Sequence, residues 1–263
     1  GGVVPTSYNL MQDGFLRPYD PSVLLWPTAY MLTLCLAQPY HCGIVDILSA
    51  AISSTTGRRH RPWAMELGTG IGVPSIALSQ TLALFSTINS SSSVATTTTG
   101  PPLVVATDKA RTALALTIEN ARAANVSHIV TIDELDFFDA EAVEALMRRY
   151  DGTGFDVVLG SSLMGLFDPD NLDSLWDVLD HLLNRSNPQA VAILAHGSHL
   201  FSSSPNGSSV RRLFRRIHSV PSTVFVMPTR HGKDDTGDFE ISVFARLPPP
   251  PLPPSLDDDM QEL

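Results

Sequence analysis

From Arg61 onward, short apolar runs alternate with longer amphipathic stretches, and this rhythm constrains the fold more than any other feature of the chain. The apolar runs are "PWAMEL", "LVVATD", "HIVTID", "FDVVLG" and "AVAILAH". Each is short and nearly continuous, as a strand buried on both faces should be. Between them lie "VPSIALSQTLALF", "ARTALALTIENARAAN", "AEAVEALMRRY" and "NLDSLWDVLDHLL", which repeat apolar residues at helical spacing. Strand and helix in strict alternation predict an α/β fold with a doubly wound, mostly parallel sheet. "SVRRLFRRIHSV" reads as one more helix, with Arg211–Arg216 on its exposed face. The last two runs, "STVFVMP" and "DFEISVFARL", are separated only by the polar loop "TRHGKDDTG". That spacing leaves no room for a helix, so it predicts a C-terminal antiparallel hairpin and seven strands in all.

Two segments fall outside the rhythm. Ser86–Pro102 is Ser/Thr-rich, and its composition predicts a disordered insertion. Residues 247–263, "LPPPPLPPSLDDDMQEL", form a Pro-rich tail with an acidic end. It favours polyproline II and reads as disordered, with service as a peptide ligand for a proline-recognising domain as the other reading. The division that follows is an N-terminal segment over residues 1–60, a main α/β domain over 61–246 and the tail. With 43% hydrophobic and 17% charged residues, the 263-residue chain has a globular composition. Its net charge of −10 argues against nucleic acid as a partner, because phosphate is repelled. No run reaches the roughly 20 apolar residues of a membrane span. The first residues, "GGVVPTSYNL", carry no basic stretch. Cys35 and Cys42 match no zinc spacing and make no disulfide framework, so reduced thiols and a cytoplasmic or nuclear setting are expected.

The chemistry sits in "MELGTGIGVPSIAL". Gly68, Gly70 and Gly72 follow the first strand and open a helix, where backbone must approach a ligand closely. The dinucleotide fingerprint G-x-G-x-x-G/A needs a small residue at position 73, which is Val73. Glu66, two residues before the first glycine, would repel a pyrophosphate but suits a cofactor with a cationic amino group. These residues favour S-adenosylmethionine over NAD. Asp108 at the tip of the second strand is placed to hold ribose hydroxyls, or to cap the next helix. Asp136 and Phe137 after the third strand could flank an adenine, with a plain turn as the other reading of Asp136.

Together these motifs resemble the class I, seven-strand S-adenosylmethionine-dependent methyltransferases, and more narrowly the protein-lysine methyltransferase group known as methyltransferase family 16. The resemblance runs from about Leu24 to Arg246. It includes "LLWPTAYMLTLCL", the glycine motif, "VVATDKARTALALTIENARAAN" with its late Asn120 or Asn125, "LDFFD" and "FDVVLGSSLMGLFDPDNLDSLWDVLDHLL". It implies a Rossmann-like fold and a methyl transfer from S-adenosylmethionine to a protein side chain, lysine first. Glu66, Gly68, Gly70 and Gly72 would hold the methionine and ribose part, and Asp108 the ribose. Asp136 and Phe137 would border the adenine. Ser161 would line the cofactor site and Trp26 would cover it, unless Trp26 is a core residue. No metal is implied.

The resemblance breaks after the fourth strand. The group carries an acid, two apolar residues and an aromatic; here stand Ser162, Leu163, Met164 and Gly165. A lysine attacks only as the neutral amine, from a pKa of about 10.4 in water, and an acid helps draw it in. Candidate catalytic residues are therefore Ser162 itself, Asp168 with Asp170 on the following loop, and His196 or His199 after the fifth strand. The competing readings are a cofactor-binding pseudo-enzyme that acts through partners, and a methyltransferase for histidine, arginine or a small molecule.

Overall fold

Seven strands form a single sheet in the order β3-β2-β1-β4-β5-β7-β6. The computed structural model describes residues 25–53, 62–90, 103–163, 172–198, 213–224 and 239–248. The strands are β1 (Pro62–Leu67), β2 (Leu103–Asp108), β3 (Val130–Glu134), β4 (Val157–Ser161), β5 (Val191–Gly197), β6 (Phe214–Pro221) and β7 (Phe239–Arg246). β1 to β5 pair in parallel; β7 runs antiparallel to both β5 and β6. The expected architecture, a mostly parallel doubly wound sheet with an antiparallel C-terminal hairpin, is the one observed.

Among the described residues six helices complete the layers: α1 (Pro27–Ala37), α2 (Val45–Ser53), α3 (Val73–Ser90), α4 (Arg111–Ala123), α5 (Ala140–Arg149) and α6 (Leu172–Leu182). Side chains alternate across the sheet, so each strand feeds two cores. Met65, Leu67, Val158, Leu194 and Phe244 pack with α5 and α6. There Trp176 of α6 sets its ring 5.0 Å from Phe244 and 5.6 Å from Phe214. Ala64, Val157, Leu159, Ile193 and Val243 face the other way, onto α1, α2 and α3. The free thiols Cys35 and Cys42 are both buried in this second core. A polar clamp closes the sheet at its N-terminal edge. Asp156 accepts from Asn184 Nδ2 at 2.7 Å and from Asn187 Nδ2 at 2.8 Å, and Asn187 also donates to the carbonyl of Ala51 on α2.

Three expectations need correction. Residues 214–221 form strand β6, where a helix was read. The arginine pairs mimic a helical face, but β6 is the sheet edge, with only Phe214 and Val220 buried while Arg215 and Arg216 face outward. The hairpin therefore starts upstream of "STVFVMP", whose Ser222–Val224 make a 3-10 turn. The helix before the Ser/Thr-rich stretch also runs on to Ser90, so the first five residues of the expected insertion are helical. Residues 91–102, and the tail from Pro249 onward, lie outside the described residues. No helix among the described residues is long and apolar enough to cross a membrane.

Candidate functional site

β1 is flanked by β2 on one side and β4 on the other, so successive connections leave the sheet in opposite directions at its C-terminal edge. In doubly wound sheets that switch point opens the ligand crevice. The glycine loop lies there. Gly68, Gly70 and Gly72 have φ of +61°, +54° and +82°, angles that a Cβ penalises. Four hydrogen bonds pin the loop, two to β2 and two from α4. Thr69 N donates to Thr107 O at 2.8 Å and Gly70 N to Asp108 Oδ2 at 2.9 Å. From α4, Thr117 Oγ1 donates to Gly70 O and Asn120 Nδ2 to Ile71 O, each at 2.9 Å. Asn120 is thus the asparagine that serves the loop, while Asn125, at φ +58°, follows the end of α4.

Glu66 is completely buried at the head of this loop. Its Oε2 accepts three bonds: from Thr69 Oγ1 at 2.8 Å, Ser75 N at 3.0 Å and Ser75 Oγ at 2.5 Å. Its Oε1 has no partner among the described residues. Burial pushes the carboxyl up to about 7 from an ordinary 4.5, against the opposing pull of the Ser75 and Thr69 bonds; the charge of Asp108 adds a smaller push. An unpartnered buried carboxylate oxygen is costly, and a cation is the group that would satisfy it.

Asp108 is 8% exposed, and its Oδ1 accepts from Ala110 N at 2.9 Å. It does not cap α4, whose N-cap is Ala110. Asp136 makes a turn, accepting from Phe138 N at 3.1 Å, with Lys109 Nζ 3.9 Å away. Phe137 is buried in the core below the loop, its ring edge 3.8 Å from where a Gly68 Cβ would stand. The exposed aromatic of this rim is Phe138, with Lys109 Nζ 5.8 Å from its ring centre. The only sequence signal of either is its place directly after Asp108 or Phe137.

On the other side of β1, Ser161 ends β4 and Ser162 turns the chain at φ +57°. That turn sends Leu163 back under the loop. Its side chain lies so close to Gly68 and Gly160 that a Cβ there would sit 3.1 and 2.4 Å from its methyl carbons. The Ser162 hydroxyl bonds that of Thr28, in the first turn of α1. Trp26, the N-cap of α1, is 47% exposed, so it is not a core residue. His196 is not on a loop. It lies within β5, 1% exposed, with Nδ1 2.9 Å from Gly197 O and Nε2 3.1 Å from Ser242 Oγ, beside Glu240 of β7. Gly165, Asp168, Asp170 and His199 lie outside the described residues.

The sheet order and this crevice define the Rossmann-like methyltransferase fold. The chain is similar to SMU.776, a provisionally assigned methyltransferase solved in complex with S-adenosylhomocysteine, with 9% identity and a TM-score of 0.51 over 84% of this chain and 50% of that one. It therefore spans half of that neighbour's length. It is also similar to precorrin-6y C5,15-methyltransferase from Geobacter metallireducens GS-15 (14% identity, TM-score 0.44, 76% of this chain and 87% of that one). A third similar structure is magnesium protoporphyrin IX methyltransferase from Synechocystis PCC 6803 with bound S-adenosylmethionine (12%, 0.43, 85% and 99%). At these identities the likeness is one of fold. No family model and no curated protein matches the sequence.

Proposed function

We propose that this chain binds S-adenosylmethionine in the crevice beside β1 and transfers its methyl group to a protein side chain, with lysine as the first acceptor to test. One observation carries the reading: Glu66 Oε1, buried at the head of a glycine loop and unpartnered among the described residues. That oxygen suits the α-amino cation of the methionine end, and a pyrophosphate would be repelled there. Gly68, Gly70 and Gly72 would admit the cofactor against backbone. Asp108, at the tip of β2, would meet the ribose hydroxyls while fixing the loop through Gly70 N. Asp136 and Phe138 would border the adenine, and Trp26 would cover the site from α1. Bound S-adenosylmethionine supplies a sulfonium methyl open to direct in-line attack; the protein's share is to orient the acceptor and exclude water.

A second reading, an acceptor other than lysine, is supported by one observation. The position where the resembled group carries an acid is Ser162, whose hydroxyl is tied to Thr28 and brings no charge to draw in an ammonium group.

Calorimetric titration tests the first step. S-adenosylmethionine is expected to bind with micromolar or tighter affinity and NAD not to bind. Gly70→Val and Asp108→Ala should each weaken binding tenfold or more, about 1.4 kcal/mol. Binding of NAD alone, or of neither ligand, defeats the proposal. Labelled-methyl transfer into cell extract, followed by hydrolysis and identification of the methylated residue, separates the two acceptor readings.

A further inference from the structure

The chain has two cysteines, and the fold brings their side chains together. Cys35 lies in the last turn of α1 and is fully buried. Cys42 lies in the turn between α1 and α2 and is 4% exposed. After α1 the chain passes Pro39 and doubles back on the helix end. His41 N and Cys42 N donate to Gln38 O at 3.0 and 3.2 Å, and Ile44 N donates to Pro39 O at 2.9 Å. This coil keeps Cys42 on the core side, while its neighbours His41 and Gly43 stay exposed. Both thiols sit in the core beneath α1, α2 and α3, and they hydrogen-bond to each other there.

Other elements fix the backbone on both sides of this contact. Leu36 O, next to Cys35, accepts from Thr81 Oγ1 of α3 at 2.7 Å. Cys42 O accepts from His218 Nε2 of β6 at 2.8 Å. Gly43, at φ +68°, lets that ring approach: a Cβ there would stand 3.3 Å from His218 Cε1. The sulfurs are thus held in contact by the folded structure, and a bond between them needs little movement. The two thiols are not equivalent. Cys42 lies one layer below an exposed turn, and its bond with Cys35 holds it below the ordinary thiol value, against the opposing push of burial. Cys35 lies deeper, and the Cys42 bond, burial and the charge of Cys42 all push it up.

We propose that Cys35 and Cys42 form a reversible dithiol–disulfide site in the folded protein, with a peroxide as the oxidant. Cys42 reacts first. Its thiolate sulfur attacks one peroxide oxygen, the O–O bond breaks, and Cys42 becomes a sulfenic acid. The hydroxide that leaves takes a proton and departs as water. The Cys35 sulfur then attacks the Cys42 sulfur and displaces the hydroxyl group, which leaves as a second water with the Cys35 proton. The pair loses two hydrogens and two electrons, and the peroxide is reduced to two waters. A dithiol reductant reverses the change by exchange. The site lies at the opposite end of α1 from Thr28, and it does not depend on the proposed cofactor.

Hydrogen peroxide on the full chain in native buffer tests the site, at a dose that oxidises free glutathione completely. Thiol titration and the mass of the cysteine-containing peptide are the readouts. Both thiols are expected to disappear, with the loss of two hydrogens and no oxygen on either cysteine. Dithiothreitol should return both thiols, and a thermal melt should show that the oxidised chain stays folded. The chain has no other cysteine, so a disulfide within one chain can only be this pair. Cys35→Ser should stop at a sulfenic acid on Cys42 that dimedone traps. Cys42→Ser should leave Cys35 unreacted at the same dose. Melts check that both variants fold, and the wild-type result stands without them. Thiols that survive this dose overturn the proposal. So do a disulfide that forms only in urea, disulfide-linked dimers, and oxygen added to a cysteine without loss of the two hydrogens.

Discussion

Gly72→Ala is expected to lower the unfolding free energy by about 2 to 5 kcal/mol and to abolish measurable cofactor binding. Two costs add. At φ +82° an L-residue pays about 1 to 2 kcal/mol for its left-handed backbone. The new Cβ would also stand 2.4 Å from Thr117 Cγ2 and 2.9 Å from Thr117 Oγ1. Forced overlap in a packed interior costs about 1 to 3 kcal/mol more. Thr117 cannot step aside freely. It is fully buried, and its hydroxyl, with one hydrogen to give, lies 2.9 Å from Gly70 O and 3.1 Å from Ala113 O. Any movement that relieves the clash loosens the loop. The double variant Gly72→Ala/Thr117→Ala separates the costs. It should recover the overlap but not the backbone strain, so the two substitutions should couple favourably by about 1 to 3 kcal/mol. Urea unfolding of the two single variants and the double variant measures this. Additive costs would mean that Thr117 does not require glycine at position 72.

The glycine loop and its surroundings were legible because the chemistry is local. Glu66, the three glycines and the start of the helix they open, Val73, are adjacent in the chain, and Asp108 marks a strand end readable from "LVVATD". Strand β6 was not legible in the same way. An edge strand has one neighbour and can carry outward arginines along much of its length, so the twofold alternation that announces a strand is blurred. His196 could have been placed better. It continues the alternation of Ala192 and Leu194, which predicts an inward side chain, yet its residue type drew it toward a loop. The bonds that fix the site from a distance had no sequence signal at all. Thr28 to Ser162, Thr117 to Gly70 and Asn120 to Ile71 span 134, 47 and 49 residues. Hydroxyl and amide side chains are common in helices, and only the packing of α1 and α4 selects these.

Cofactor affinity should rise with pH up to about 7 and fall again above about 8, and Glu66 sets the acid limb. In the folded protein without ligand its carboxyl titrates at about 7, raised first by burial, against 4.5 in the unfolded chain. Below 4.5 both states hold the proton and the group is neutral to stability. Between 4.5 and 7 the folded state holds a proton that the unfolded state has released, so stability falls as pH rises. Above 7 the loss is complete, about 3 kcal/mol from a shift of about 2.5 units. A bound ammonium on Oε1 reverses the balance by favouring the ionised form. Binding below pH 7 should therefore release a proton, and affinity should climb toward tenfold per pH unit. The basic limb belongs to the ligand, whose α-amino group loses its charge near pH 7.7 to 8.0. Glu66→Gln should flatten the acid limb and weaken binding at pH 7.5 by tenfold or more. Without ligand it should remove the decline in stability between pH 5 and 7. Its amide oxygen can keep the Ser75 and Thr69 donors, but its NH₂ would face the place of the ammonium. Titrations at pH 5.5 to 8.5, repeated in buffers of different ionisation heat, count the protons released. A flat profile in the wild type, or one unchanged by Glu66→Gln, would mean that the orphan oxygen does not meet the cofactor's amino group.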